Sequence, residues 1–146
     1  MIASSTYPDW AGYSFAASHL VDHKYWTAWA PDPSAGGNAR LKFVFEGEVP
    51  IVGLRVGNGF QRIDPTEGIL TSAFGKVRGV VVRVDGKPYE VGRFAPSAGL
   101  QVLRFPPVVA SEIEIEIFDL QSGDRFAVPA VSLLEPLTCA PGAFVR

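Results

Sequence analysis

Cysteine is almost absent from this sequence, since Cys139 is the only one in 146 residues. A single thiol cannot form an internal disulfide, and it cannot supply the several thiolates of a structural zinc site. Nothing in the sequence around Cys139 would activate a catalytic thiolate. We therefore expect Cys139 to be an inert residue of a C-terminal tail.

Positive charge and long apolar runs are scarce as well. Lysine and arginine number 13 against 15 acidic residues, which gives a net charge of −2. Non-specific binding of nucleic acid needs a basic surface, so we expect no nucleic-acid partner.

No apolar run reaches the ~20 residues of a membrane-spanning helix, so we expect no membrane insertion. The N-terminus MIASSTYPDW lacks signal-peptide features, which predicts a cytoplasmic location unless the chain is a domain of an exported protein.

Helical periodicity is also missing, and 15 glycines and 12 prolines interrupt the chain. Apolar and polar residues instead alternate, most clearly in residues 112–117 (EIEIEI), where isoleucines point inward and glutamates point to water. Residues 41–46 (LKFVFE) and 80–84 (VVVRV) alternate in the same way. Asp85-Gly86 is typical of a type I′ hairpin. The sequence therefore predicts an all-β domain.

Two details of the strands are predicted from their composition. In residues 101–107 (QVLRFPP) the apolar phase slips between Val102 and Leu103, as a bulge would produce. Pro129, within the last predicted strand, indicates an edge position or a bulge. The spacing of the segments predicts about eight antiparallel strands in one β-sandwich jelly roll covering residues 1–146.

The stretch GLRVGNGFQRID, residues 53–64, begins as a half-buried strand and then breaks at Gly57-Asn58-Gly59. A tight hairpin would resume the alternation at once, but the next clear strand begins near Lys76. Connections of this length without secondary structure are functional or disordered, and this one is too apolar for disorder. We expect a packed loop at the end of a sheet.

Several segments together resemble the discoidin-like, galactose-binding-like jelly rolls, and most of all their NAD-glycohydrolase-type glycan-binding domains. The resemblance covers about residues 3–135, which leaves 136–146 as a tail. Its most specific parts are Thr27-Ala28-Trp29 and the run from Val56 to Arg62 (VGNGFQR), which are similar to Thr-Ala-Trp and Ile-Gly-Asn-Gly-Tyr-Gln-Lys in that group. The resemblance implies a glycan-binding function.

The sequence departs from that pattern at several positions. His23 stands where the group often has glycine, and Phe74-Gly75-Lys76-Val77 stands where it often has Asn-Ser-Arg-Val. Many relatives also hold a structural calcium with an early aspartate and a late glutamate, which implies Asp22 and, with a shift from Leu133, Glu135. Calcium needs six to eight oxygen ligands, so we predict no cofactor, with structural calcium as the alternative.

Six of the seven tryptophans and tyrosines lie within the first 29 residues, and such rings either stack on a sugar or close one end of the sandwich. We expect Trp29 to be a core residue. The candidate ligand-binding residues are Trp10, Tyr25, Trp26, Asn58, Gln61 and Arg62. For Asn58, the alternative is that its side chain bonds the backbone of its own loop.

Ser18, His19, Asp22 and His23 contain the elements of a metal site or a catalytic triad. In an extended chain the two histidines lie about 13 Å apart, and adjacent residues point in opposite directions. No nucleophile motif accompanies them. We predict neither a metal site nor catalysis from these residues.

The sequence thus predicts a non-catalytic module that binds a glycan through loops at one end of a β-sandwich. The alternative is an intracellular adaptor that binds a protein partner and belongs to a larger assembly or serves an enzyme. In that case Ile69, Leu70 and Phe74 form an exposed apolar anchor, or the tail PLTCAPGAFVR is a docking segment.

Overall fold

The computed structural model describes residues 1–95 and 97–138. The strands are short at the N-terminus and unusually long in the two central segments. In chain order they are β1 (Ile2–Ala3), β2 (Arg40–Asn58), β3 (Ile63–Asp64), β4 (Gly68–Ile69), β5 (Lys76–Val84), β6 (Lys87–Arg93), β7 (Gly99–Gln121) and β8 (Val131–Thr138). Helical structure in the described residues is limited to two 3₁₀ turns, Ala17–Val21 and Pro33–Ala35, and one α-helical turn, α1 (Leu70–Ala73). No helix in these residues is long and apolar enough to cross a membrane.

Strands β2 and β7 form a long antiparallel ribbon that contributes to both layers of a sandwich. Residues 40–44 of β2 pair with 112–116 of β7, and 49–58 pair with 99–110. The pairing is interrupted between Val44 and Val49, where the ribbon changes direction. One half continues into β1, β5 and β6, and the other half pairs with β8. The jelly roll predicted from the sequence is therefore confirmed.

The main core lies between these two halves. Leu41 and Ile113 come from one half of the ribbon, Leu54 and Val56 come from the other, and all four belong to one buried cluster. Side chains of a flat sheet could not meet in this way, so the bend in the ribbon is what closes the core. Trp29 is fully buried in the same cluster, as expected from the sequence, and its indole N–H donates to the carbonyl of Ser5 at 3.1 Å.

The predicted hairpin between β5 and β6 is present. Asp85 and Gly86 have φ values of 48° and 84°, as a type I′ turn requires. The Asp85 carboxylate also accepts hydrogen bonds from Ser111 and from the backbone N–H of Glu112. This turn is therefore tied to the neighbouring strand β7.

Two expected strand details are wrong. Val102 and Leu103 pair in regular register with Arg55 and Leu54, and the irregularity lies further along, between Arg104 and Val108. The apparent slip arises because Val102 lies on the outer face of the sheet and is exposed. Pro129 is not within β8 but precedes it, in an isolated bridge to Gly75.

The connection between β2 and β5 has the predicted length and packing. It contains the β3–β4 hairpin and α1, and β5 starts at Lys76 as expected. Phe60, Leu70 and Phe74 from this connection are buried in a second cluster, beside the main core. This aromatic cluster closes one end of the sandwich.

Candidate functional site

The early aromatic residues fall into three groups with different surroundings. Trp29 lies in the main core. Tyr7, Trp10 and Tyr13 pack against the second cluster at the loop end. The remaining two side chains are exposed, Tyr25 at 60% and Trp26 at 42%. Three of these rings therefore close the end of the sandwich, as one of the two expectations has it, and the two exposed rings remain candidates for contact with a ligand.

A short turn after the first 3₁₀ segment presents the exposed pair. The Asp22 carboxylate accepts hydrogen bonds from the Lys24 backbone N–H at 2.9 Å and from the Thr27 hydroxyl at 2.7 Å. His23 adopts a left-handed conformation within this turn (φ 60°). The Tyr25 and Trp26 rings meet edge to face, with centroids 5.0 Å apart. Because both ends of the turn are fixed, the two rings are held outward in a defined arrangement.

Tyr25 borders a groove of about 280 Å³ at this end of the sandwich. The groove is formed by the turn, the ends of β2, β7 and β8, and the start of the long connection. It is lined by His23, Lys24, Tyr25, Gly57, Gln61, Leu100, Ser132 and Leu133. Its wall therefore combines the Tyr25 ring and two leucine side chains with the polar side chains of His23, Lys24, Gln61 and Ser132.

Ser132 organises the polar side of the groove. It is fully buried, and its hydroxyl donates to the carbonyl of Gly57 at 3.1 Å. The side-chain amide of Gln61 donates to the same hydroxyl oxygen at 3.4 Å, a long hydrogen bond between two residues that both line the groove. A Cβ atom at Gly57 would lie 2.6 Å from the Ser132 hydroxyl oxygen, so only glycine fits beneath these groups.

Asn58 is not part of this groove. It is fully buried, and its amide makes two hydrogen bonds with the backbone of Val77: Nδ2 donates to the carbonyl at 2.8 Å, and Oδ1 accepts from the N–H at 2.9 Å. Asn58 therefore joins the end of β2 to the beginning of β5. The alternative role considered for it, bonding the backbone of its own loop, is close to what the structure shows, but the bonded backbone belongs to β5 and not to the loop.

Trp10 and Arg62 lie elsewhere on the loop end. The guanidinium of Arg62 sits 5.0 Å from the centre of the Tyr13 ring. Trp10 packs edge to face on Phe126 at 5.0 Å, and Arg125 lies 5.2 Å from its centre. Neither side chain lines the groove. Of the six candidate ligand-binding residues, the structure brings together Tyr25 and Gln61, with Trp26 packed against Tyr25.

Tyr13 and Asp64 form a polar contact beside Arg62. The Tyr13 hydroxyl donates to the Asp64 carboxylate, and this hydrogen bond is the largest cause that holds the pKa of Asp64 below its ordinary value. Backbone N–H groups of Glu67 and Thr66 lower the pKa of Asp64 further. The same contact raises the pKa of Tyr13. Asp64 is therefore stabilised as a carboxylate that holds its loop, and this contact requires no ligand.

The two residues that the resemblance implies for a calcium site, Asp22 and Glu135, both have partners within the protein. Asp22 uses both carboxylate oxygens within its own turn. Glu135 forms a salt bridge with Arg55 at 2.9 Å. Among residues 1–95 and 97–138, no group of three or more histidine, cysteine, aspartate or glutamate side chains is placed to hold a metal ion. His19 is also engaged, with its Nδ1 3.0 Å from the carbonyl oxygen of Ala28.

The exposed apolar anchor that the adaptor hypothesis requires is not formed. Leu70 and Phe74 are fully buried, and only Ile69 of the three is exposed. The tail considered as a docking segment lies outside the described residues from Cys139 onward.

Several residues of the groove could not be selected from the sequence. Ser132, Leu133 and Leu100 are ordinary strand residues, and they reach the groove only because β7 and β8 begin beside the end of β2. Lys24 was marked in the sequence only as a polar neighbour of Tyr25, and His23 only as that, as a departure from the resembled pattern and as part of the set with Ser18, His19 and Asp22. The groove is thus a product of long-range strand pairing.

No protein-family model matches the sequence, and no curated protein matches it. Solved structures with the same fold do exist. The CBM32-3 domain from a family 31 glycoside hydrolase of Clostridium perfringens has a TM-score of 0.69 at 14% identity, over 95% of this chain and 89% of that one. The C. perfringens domain CpGH89CBM32-5, in complex with GalNAc-beta-1,3-galactose, has a TM-score of 0.64 at 18% identity, over 94% of this chain and 93% of that one.

The fold also occurs within longer chains. SpGH29 matches with a TM-score of 0.62 at 18% identity over 86% of this chain, but this chain spans only 24% of SpGH29. At these identities the similarity establishes the fold alone, a β-sandwich jelly roll like that of the CBM32 domains.

Proposed function

We propose that this chain is a single-domain, non-catalytic module that binds carbohydrate in the groove beside Tyr25. The observation that carries the proposal is the exposed Tyr25–Trp26 pair, which is fixed at the mouth of a groove containing Gln61. The flat face of a pyranose packs on such a ring, while amide and hydroxyl groups orient its hydroxyls. The fold supports this function because CpGH89CBM32-5, which has the same architecture, was solved with a galactose-containing disaccharide.

Within this fold, we infer that the chain is most similar to the NAD-glycohydrolase-type glycan-binding domains. The support is the pair of sequence stretches Thr27-Ala28-Trp29 and VGNGFQR, residues 56–62. In this structure the first stretch follows the turn that presents Tyr25, and the second contains Gly57, Asn58 and Gln61. Both stretches therefore build the groove or support it.

We also infer that the module serves a larger enzyme or assembly. The same fold occupies about a quarter of SpGH29, which supports such an arrangement. A single shallow groove binds its glycan weakly. Several copies of the module on one assembly would bind a surface with many glycans more tightly, because the first contact raises the effective concentration for the next. A protein partner through the apolar anchor is not favoured, because Leu70 and Phe74 are buried.

The test is a glycan array with the purified protein, the variants Tyr25→Ala and Trp26→Ala, and a matched control. Tyr89→Ala is that control, because Tyr89 is a half-exposed aromatic residue that packs on Phe105 and does not line the groove. We expect saturable binding that is lost in the first two variants and retained in the third. Binding should persist with a chelator, since the acidic residues are engaged elsewhere.

Two results would contradict the proposal. A blank array with protein shown to be folded by circular dichroism would remove the glycan function. Release of hydrolysis products from a bound glycan would show that the module is an enzyme.

A further inference from the structure

The groove beside Tyr25 is lined by basic side chains but not by acidic ones. Two of its lining residues, His23 and Lys24, carry basic side chains. None of the described residues that line the groove is an aspartate or a glutamate. The chain as a whole has a net charge of −2, so the basic character of the groove is local and does not follow from the overall composition.

Lys24 also differs from those lysines and arginines of this chain that form salt bridges. Salt bridges engage a set of lysines and arginines on the sheets and loops, namely Lys42, Arg55, Arg78, Arg83, Arg93 and Arg125. Within residues 1–95 and 97–138, Lys24 forms no ion pair with a carboxylate. Lys24 is therefore exposed at the groove, and its ammonium group has no salt-bridge partner among the described residues.

The acidic residue nearest to Lys24 in sequence, Asp22, forms no salt bridge with it. Asp22 accepts a hydrogen bond from the backbone N–H of Lys24 and another from the Thr27 hydroxyl. Both carboxylate oxygens of Asp22 are therefore directed into the turn, and Asp22 does not line the groove. The turn thus keeps its acidic group on the inside and its basic side chains on the groove side.

We propose that the groove selects an anionic saccharide, one whose sugar ring carries a carboxylate or a sulfate group. The proposal rests on the proposed carbohydrate-binding function and specifies its ligand. The sugar ring packs on Tyr25, its hydroxyls contact Gln61, and the anionic group lies against Lys24 and His23. A charge-assisted hydrogen bond from an ammonium group to such an anion is stronger than one between neutral groups.

The experiment compares matched pairs of ligands by titration calorimetry. One pair is a galacturonic acid oligosaccharide and the neutral galactose oligosaccharide of the same length. The other pair is a sulfated galactoside and its unsulfated form. We expect each anionic ligand to bind about threefold to fivefold tighter than its neutral partner, as for a partly exposed ion pair. This ratio should fall as sodium chloride is raised, because salt screens exposed charges.

Lys24→Gln and Lys42→Gln form a matched pair of variants. In Lys24→Gln the ratio of anionic to neutral affinity should fall close to one. In Lys42→Gln, which removes a lysine paired with Glu112 on the sheet, the ratio should stay as in the original protein. Tightening in only one ligand pair would support the proposal and identify the anion as carboxylate or sulfate.

The outcomes separate this inference from the function on which it rests. Equal affinity for anionic and neutral ligands, with binding that is lost in Tyr25→Ala, would overturn the charge selection and leave the carbohydrate-binding function standing. An anionic preference that survives in Lys24→Gln would overturn the assignment to this groove. Absence of binding to all four ligands and to the whole glycan array would overturn both.

Discussion

The hydroxyl of Tyr13 donates a hydrogen bond to the carboxylate of Asp64, which links the N-terminal segment to the β3–β4 hairpin. This contact lowers the pKa of Asp64 and raises that of Tyr13. A carboxyl group with a lowered pKa stabilises the folded state above its unfolded-state pKa, and this contribution is lost as the pH falls through the folded-state value. The contact therefore adds to stability at neutral pH and is lost on acidification.

Tyr13→Phe should raise the pKa of Asp64 toward the ordinary value of about 3.9, because it removes the largest cause of the shift. The variant should also lose less stability than the original protein between neutral pH and acid pH. NMR titration of the Asp64 carboxyl carbon and unfolding in urea at several pH values measure the two effects. Tyr7→Phe is the control, since Tyr7 packs in the same cluster. An unchanged Asp64 pKa in Tyr13→Phe would show that the hydrogen bond is unimportant.

Asn58→Ala should destabilise the fold by about 2–4 kcal/mol, because it leaves a buried N–H and a buried carbonyl of Val77 without partners. Unfolding in urea measures the loss. Asn38→Ala is the control, since Asn38 is exposed and its amide bonds the Glu116 carboxylate at the surface. We expect a loss below about 0.5 kcal/mol there. Equal losses in the two variants would contradict the structural role of Asn58.

Phe74→Ala should destabilise the protein by about 3–5 kcal/mol, because Phe74 is fully buried among the aromatic rings that close the loop end. Ile63→Ala, at a position 74% exposed in the same connection, should cost less than about 0.5 kcal/mol. Thermal and urea unfolding compare the two. A large loss only in Ile63→Ala would show that the loop packs differently.

Gln61→Ala should weaken glycan binding by about threefold to tenfold, as expected for the loss of a hydrogen bond. Arg62→Ala should change the affinity by less than about twofold, because Arg62 lies over Tyr13 and not in the groove. Titration of both variants with the same ligand makes the comparison. The reverse order of effects would place the binding site at Tyr13 and Arg62 instead.

The strands of this fold could be predicted because their signal is local. Alternation in residues 112–117 follows from a period of two, and the left-handed turn at Asp85-Gly86 follows from two residues. The error at Val102 and Leu103 arose because Leu100 and Val102 are apolar residues on an outer face. When apolar residues lie on the outer face, the alternation in the sequence does not show which side chains of the strand point inward.

The site was predictable only in part, for a physical reason. Tyr25 and Gln61 were selected for their chemistry, and both line the groove. Asn58 has similar chemistry, but whether its amide faces solvent or Val77 depends on how β5 approaches β2. Ser132 enters the groove from a strand more than a hundred residues after Tyr25. Pairing between such distant segments leaves no pattern in a single sequence.

The shared ribbon of β2 and β7 has a consequence for how the chain acquires its structure. Arg40 pairs with Glu116, and Asn58 pairs with Gly99, so neither layer of the sandwich is complete until β7 has been synthesised. Because both layers contain the same two strands, neither can melt without opening the other. The module should therefore unfold in one cooperative transition and refold on a timescale of milliseconds to seconds, as proteins dominated by non-local contacts do.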